Sequence, residues 1–298
     1  MIDTSIFPAQ DRGADGAAGL AVITGAGSRL GAAMARELTV RGQAVVGIDS
    51  HMDGLAEIQG ICLPGLFHPF CADMADPAAL RRITATVERG LGPTTILINN
   101  AALHQQDDFL AAEAEQVMRQ IAVNLGGYVN AAAAVLPFMV ERGRGRILNV
   151  SSLAGENPVP GSLAHSVSAS ACRSFNDALA AELAGRLPGV TVTEWIPAVP
   201  AAGPDRADGL SPATAAAWGA TLALDTSRDL HGTCFIGDRQ ILPARSLKRL
   251  IKDILLLHPA PRPHILSSGQ AAASAPASRV ADRKHEGHHG TEADDAAA

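Results

Sequence analysis

The stretch LAVITGAGSRLGAAMARELTVRGQAVVGIDS, residues 20–50, does most to limit what this chain can fold into. An apolar run suited to a buried strand, 20–24, meets a turn built around Gly25, Gly27 and Gly31, and a helical pattern follows from about Arg29. A second apolar run, 44–48, ends beside the acidic Asp49. Strand, crossover helix and strand in that order make a parallel βαβ unit. Glycines let the backbone turn tightly and approach a ligand closely. The helix then points its unpaired amides and the positive end of its dipole at the same place, which suits a pyrophosphate. Asp49, 24 positions after Gly25, is spaced to accept hydrogen bonds from a ribose diol; the competing reading is an aspartate that caps the next turn.

The alternation continues. Further strand candidates are GLFHPF (65–70), TTILIN (94–99), GRILNV (145–150), VTVTEW (190–195) and GTCFIG (232–237), with helical patterns such as PAALRRITATVERG and RSFNDALAAELAGRL between them. This predicts an α/β fold: a Rossmann-like, doubly wound parallel sheet of about seven strands, helices on both faces, in one domain over 19–240. Residues 1–18 read as a flexible leader. ARSLKRLIKDILLLH (244–258) reads as an amphipathic C-terminal helix, within 241–258, that packs on the body or on another subunit, with a membrane-surface helix as the alternative. From Pro259 to Ala298 too few apolar residues remain to offset ordering entropy, so this tail reads as disordered; His285, His288 and His289 within it are weak metal candidates.

Composition narrows the function. A net charge of -6 gives no electrostatic case for nucleic acid or an anionic membrane. Cys62, Cys71, Cys172 and Cys234 show no zinc-like spacing and read as buried thiols in a reducing compartment, so no metal is expected. The first twenty residues lack the basic start and apolar run of a secretion signal, and no apolar run approaches the roughly 20 residues of a membrane span. The expectation is a cytoplasmic protein.

The motifs resemble those of the short-chain dehydrogenase/reductase family over roughly 18–240. The family's TGxxxGxG corresponds to TGAGSRLG (24–31), with Arg29 where the middle glycine usually stands. Its NNAG corresponds to NNAA (99–102), its helix asparagine to Asn124, and its adenine-side aspartate to Asp73 in CAD. The resemblance implies a nicotinamide dinucleotide held by Thr24, Gly25, Gly27, Arg29, Leu30, Gly31, Asp49, Asp73, Asn99, Ala101, Pro197 and Val199. NAD is expected over NADP, because Asp49 should repel a 2′-phosphate; Arg29 is the contrary signal. It also implies dimers or tetramers through the helices near 108–140 and 162–186.

The same comparison exposes a loss. The family's catalytic serine corresponds to Ser152, and its YxxxK motif, thirteen residues on, falls on HSVSA: His165 replaces the tyrosine and Ala169 the lysine. The one tyrosine is Tyr128, and the lysines, 248, 252 and 284, lie beyond the nucleotide fold. After the sixth strand the family's PGxxxT reads PAVPAA (197–202), so the nicotinamide end has also drifted. Three readings follow. The first is a catalytically degenerate, NAD(H)-binding subunit paired with an active relative. The second is an atypical NAD(P)-dependent alcohol dehydrogenase or carbonyl reductase using His165 or Ser152; Asn124 is the third residue that the resemblance places at the catalytic site. The third is a nucleotide-sensing or scaffold protein.

Overall fold

In the computed structural model, residues 19–105, 108–197, 210–242 and 262–266 are described. Every residue of β1 (Leu20–Thr24) is buried, as an apolar run with no polar alternation requires. It pairs in parallel with β2 (Val45–Asp49) on one side and β4 (Thr94–Asn99) on the other. Outward from these run β3 (Phe67–Cys71) on the first side, and β5 (Gly145–Val150), β6 (Val190–Ile196), β7 (Thr233–Ile236) and β8 (Arg239–Ile241) on the second, in the order β3-β2-β1-β4-β5-β6-β7-β8. The order reverses between β1 and β4, and the crevice beyond their C-terminal ends is where such a sheet binds ligands.

Six helices cover the two faces: α1 (Arg29–Val40), α2 (Met52–Ile61), α3 (Pro77–Gly90), α4 (Ala114–Arg142), α5 (Leu163–Ala184) and α6 (Pro212–Leu224). Alternate strand residues face opposite sides. Ile23, Val45 and Trp195 pack with Met34 and Leu38 of α1 and Ala220 of α6, while Val22, Val46 and Ile147 pack with Leu80 of α3, Val135 of α4 and Leu183 of α5. Ser28 caps α1 by accepting the Gly31 N–H, and Asp76 caps α3 ahead of Pro77, so both helices start where the sequence supplies a cap. α4 is long and apolar enough to cross a membrane, but its buried residues, Val123, Ala131, Val135 and Met139 among them, pack inside the protein.

The sheet departs from the seven expected strands. β8 is an eighth, antiparallel to β7 across the two-residue turn Gly237–Asp238, with Gly237 at φ +60°. Three residues at a sheet edge carry too little pattern to be seen in the sequence. Past Pro259, where no order was expected, Ile265 bridges Arg239 and Leu266 is buried in the core. The cysteines are not uniformly buried: Cys62 and Cys172 are, Cys234 is half-buried and Cys71 is exposed. The leader 1–18 and the helix expected at 244–258 lie outside the described residues.

Candidate dinucleotide and catalytic site

The glycine turn is held by its neighbours rather than by itself. Gly25 has φ +64°, and a Cβ there would lie 2.6 Å from the Ala101 Cα, so turn and β4 end meet backbone to backbone. A Cβ on Gly31 would run into the Gly25 carbonyl oxygen. The Asn100 side-chain amide donates to the carbonyls of Thr24 and Gly25, each at 3.0 Å, and to Ser28 Oγ at 3.1 Å. Asn100 was not singled out in the sequence; its neighbour Asn99 was. Asn99 instead points into the sheet, wholly buried, donating to Asn149 Oδ1, while Asn149 donates to Asn176 Oδ1 on α5. Its side chain is therefore directed into the core. Thr24 is likewise internal: its hydroxyl accepts the N–H groups of Asn100 and Ala101 and stitches β1 to β4.

The other expected contacts are placed by their local structure. Gly27 N–H donates to Asp49 Oδ2 at 2.9 Å, and His51 N–H to Asp49 Oδ1 at 3.3 Å, so the carboxylate lies against the turn while also bracing the segment after β2. The His51 contact is the turn-capping role considered for Asp49. Arg29 is exposed at the start of α1 and makes no ion pair among the described residues, whereas Leu30 packs half-buried on the core. Asp73 follows β3 with its carboxylate paired to Arg119 of α4 at 2.5 Å. Burial pushes its pKa up, but the Ala75 N–H and the Arg119 guanidinium outweigh that and hold it below the usual carboxylate value. Ala101 is buried with its N–H on Thr24, and Pro197 follows β6 half-buried. Val199, with Ala198 and Ala202, lies outside the described residues.

Beyond the turn, a cavity of about 120 Å³ opens between the ends of β4 and β5 and helices α4 and α5. Its walls include Ala101, Asn124, Tyr128, Ser152, His165 and Ala169. His165 Nε2 lies 3.4 Å from Ser152 Oγ, long for a hydrogen bond but within reach of one oxygen held between them. His104, which sequence reasoning missed, stacks on His165 with ring centroids 4.3 Å apart and its Nε2 3.2 Å from Ser162 Oγ. Burial, and secondarily His104, lowers the His165 pKa against the opposing backbone of Leu103. Nδ1 of His165 has no well-formed hydrogen bond, so no carboxylate steadies the ring. The lowered pKa favours the uncharged imidazole at neutral pH.

Asn124 braces the loop after β4. Its Oδ1 accepts the Leu103 N–H at 2.7 Å, and its amide donates to the Leu103 carbonyl and to Ser168 Oγ. Tyr128 is buried, donates its hydroxyl to the Val150 carbonyl, and has its pKa raised well above the ordinary value, first by burial and then by the neighbouring Cys172 and Glu194. It does not replace the missing phenol. Ala169 is buried at 8 % exposure, and among the described residues neither lysine nor arginine lines the cavity. Nearby Cys172 is pushed up to about 12 by burial and by Glu194, which keeps it a thiol.

Comparison with known proteins matches these features. A family model described as short chain dehydrogenase covers residues 19–203. Among curated proteins, "Probable oxidoreductase EphD" of Mycobacterium tuberculosis is 37% identical over 185 residues, covering 60% of this chain and 31% of that protein. Nodulation protein G of Azospirillum brasilense is 34% identical over 181 residues, covering 60% and 73%. The chain thus spans about a third of EphD and most of nodulation protein G. Among solved structures, a metagenomic short-chain oxidoreductase in complex with NADP superposes with a TM-score of 0.66 at 26% identity, covering 74% of this chain and 96% of the other. NAD+-bound xylitol dehydrogenase, at 20% identity, shares the fold with a TM-score of 0.65 over 74% and 97%. With the family model matching residues 19–203, more than half of its length, and the glycine turn placed between β1 and α1 of this sheet, the chain belongs to the short chain dehydrogenase family.

Proposed function

We propose that the chain binds NAD(H) in the crevice and that its oxidoreductase centre is degenerate, so that it serves as a silent or nearly silent subunit beside an active relative. The crevice fits such a cofactor. The Gly25 position has no room for a side chain, and Gly27, Ser28 and Arg29 face solvent at the N-terminus of α1, which suits a pyrophosphate. Asp49 would take the ribose hydroxyls and repel a 2′-phosphate. Similar solved structures hold NADP in one case and NAD+ in another, which supports a nicotinamide dinucleotide without deciding between them. When bound, the cofactor supplies or accepts hydride. The chain must then hold the substrate oxygen and move a proton.

Ala169 carries the proposal. It fills, with a buried methyl group, the position from which the family's ammonium would lower the pKa of the acid and hold the nicotinamide ribose. Ser152 remains to hold an oxygen, but His165 is neutral, unsteadied at Nδ1 and without a cation. Loss of a positioned acid–base group costs about 10²–10⁴ in rate. Calorimetric titration with NADH, and turnover assays on the same sample, test this: binding without turnover is expected, and a turnover number in the ordinary range of about 1–10³ per second sinks it.

The 3.4 Å spacing of His165 and Ser152 favours one second reading. A neutral imidazole beside the serine is a base, not an acid, and so suits alcohol oxidation better than carbonyl reduction. On that reading the rate rises with pH through the depressed His165 pKa.

A further inference from the structure

A second cleft, of about 410 Å³, lies at the opposite end of the sheet, where β4, β5 and β6 begin. Arg144, Arg146 and Arg228 line it, with Gln43, Thr95 and Thr191, and no carboxylate does among the described residues. Arg146, the second residue of β5, is only 6 % exposed. Its guanidinium reaches just two backbone carbonyls, Leu222 at 3.4 Å and Ser227 at 3.3 Å. Beside it in register on β6, Thr191 is 3 % exposed and its hydroxyl has no hydrogen-bond partner among the described residues.

Buried arginines ordinarily find a carboxylate, because an unpaired buried charge is costly. None of these three makes an ion pair among the described residues. Burial depresses the Arg146 pKa, and Asp225, whose charge opposes that, does not line the cleft. Three like charges around one concavity, in a chain of net charge -6, raise each other's cost unless an anion joins them. Guanidinium forks match oxyanions in a bidentate manner, and the volume suits a small metabolite.

We propose that this cleft binds a small multivalent oxyanion, a phosphate ester or a polycarboxylate. The site is separate from the crevice: Arg146 lies near the start of β5 and Ser152 just beyond its end, roughly 20 Å apart at about 3.3 Å per residue.

The test uses the full chain. Phosphorus NMR line broadening reports inorganic phosphate, and calorimetry reports citrate, at fixed ionic strength and with excess NADH present. Saturable binding of either probe is expected, phosphate alone pointing to a phosphate ester and citrate alone to a polycarboxylate. Arg144→Ala with Arg228→Ala, both on exposed positions, should weaken binding at least tenfold while leaving NADH binding unchanged; Arg146→Gln should do the same if it folds. Absence of binding by both probes, displacement by NADH, or wild-type affinity in the double variant overturns the proposal.

Discussion

His165 Nε2 faces Ser152 Oγ across 3.4 Å, although thirteen residues and a turn separate them in the chain. Helix α5 thus returns to the end of β5 with its first turn aimed at the serine. If the pair is silent, His165→Ala leaves a negligible rate unchanged. If it is a working base, the same substitution lowers the rate by about 10²-fold or more and abolishes the histidine-like pH profile. Initial rates with NAD+ and a panel of alcohols, from about pH 5 to 9, separate the outcomes.

Stability should fall in mild acid. Burial, then His104, lowers the His165 pKa from its ordinary value, and burial alone lowers that of His68. The unfolded chain then binds more protons than the folded one. The stabilisation is complete above about pH 6.5 and is lost as pH drops through the folded pKa values. Urea unfolding should show a lower midpoint at about pH 5 than at about pH 7, and His165→Gln should flatten part of that slope. An unchanged slope in the variant refutes the assignment.

Gly25→Val should abolish dinucleotide binding. A positive φ costs a residue with a side chain about 1–2 kcal/mol, and the new Cβ would meet the Ala101 backbone at 2.6 Å. NADH fluorescence, read alongside a thermal melt, distinguishes lost binding from lost fold. A folded variant of wild-type affinity would move the cofactor site elsewhere.

Cofactor choice should follow Asp49. NAD(H) is expected to bind about tenfold more tightly than NADP(H), a difference of about 1.4 kcal/mol. Asp49→Ser should narrow that ratio by leaving Arg29 free to pair with a 2′-phosphate. Competition titrations decide, and tighter NADP(H) binding by the wild type reverses the expectation.

Assembly can be tested on α4 and α5. Met118, Val129 and Val140 are exposed at eleven-residue spacing, hence on one face of α4, and Val167 is exposed on α5. We expect an oligomer, homomeric or with an active relative. Val129→Glu with Val167→Glu should shift sedimentation toward the monomer; a wild type already monomeric at micromolar concentration defeats the idea.

Strands were legible wherever burial is one long apolar run: 20–24, 94–99 and 145–150 are realised to the residue. The site was legible in outline but not in direction. NNAA marked the place, yet which asparagine staples the turn depends on the pleat, which sends Asn99 inward and leaves Asn100 for the glycines. His104 gave no sequence signal, because its partner His165 is far along the chain and only the loop after β4 brings them together. Thr24 looked like a ligand contact because it sits in the motif, but its hydroxyl is spent on β4.

Ala169 has a consequence for how such a chain drifts over generations. Alanine is the strongest helix former, and here it sits buried in the wall of α5. A lysine restored there would have to keep its ammonium out of water, a cost that the fold alone never repays. On the proposed reading, losing that lysine relieves the fold and restoring it strains the fold, so His165→Tyr with Ala169→Lys should yield a weaker fold before it yields a catalyst.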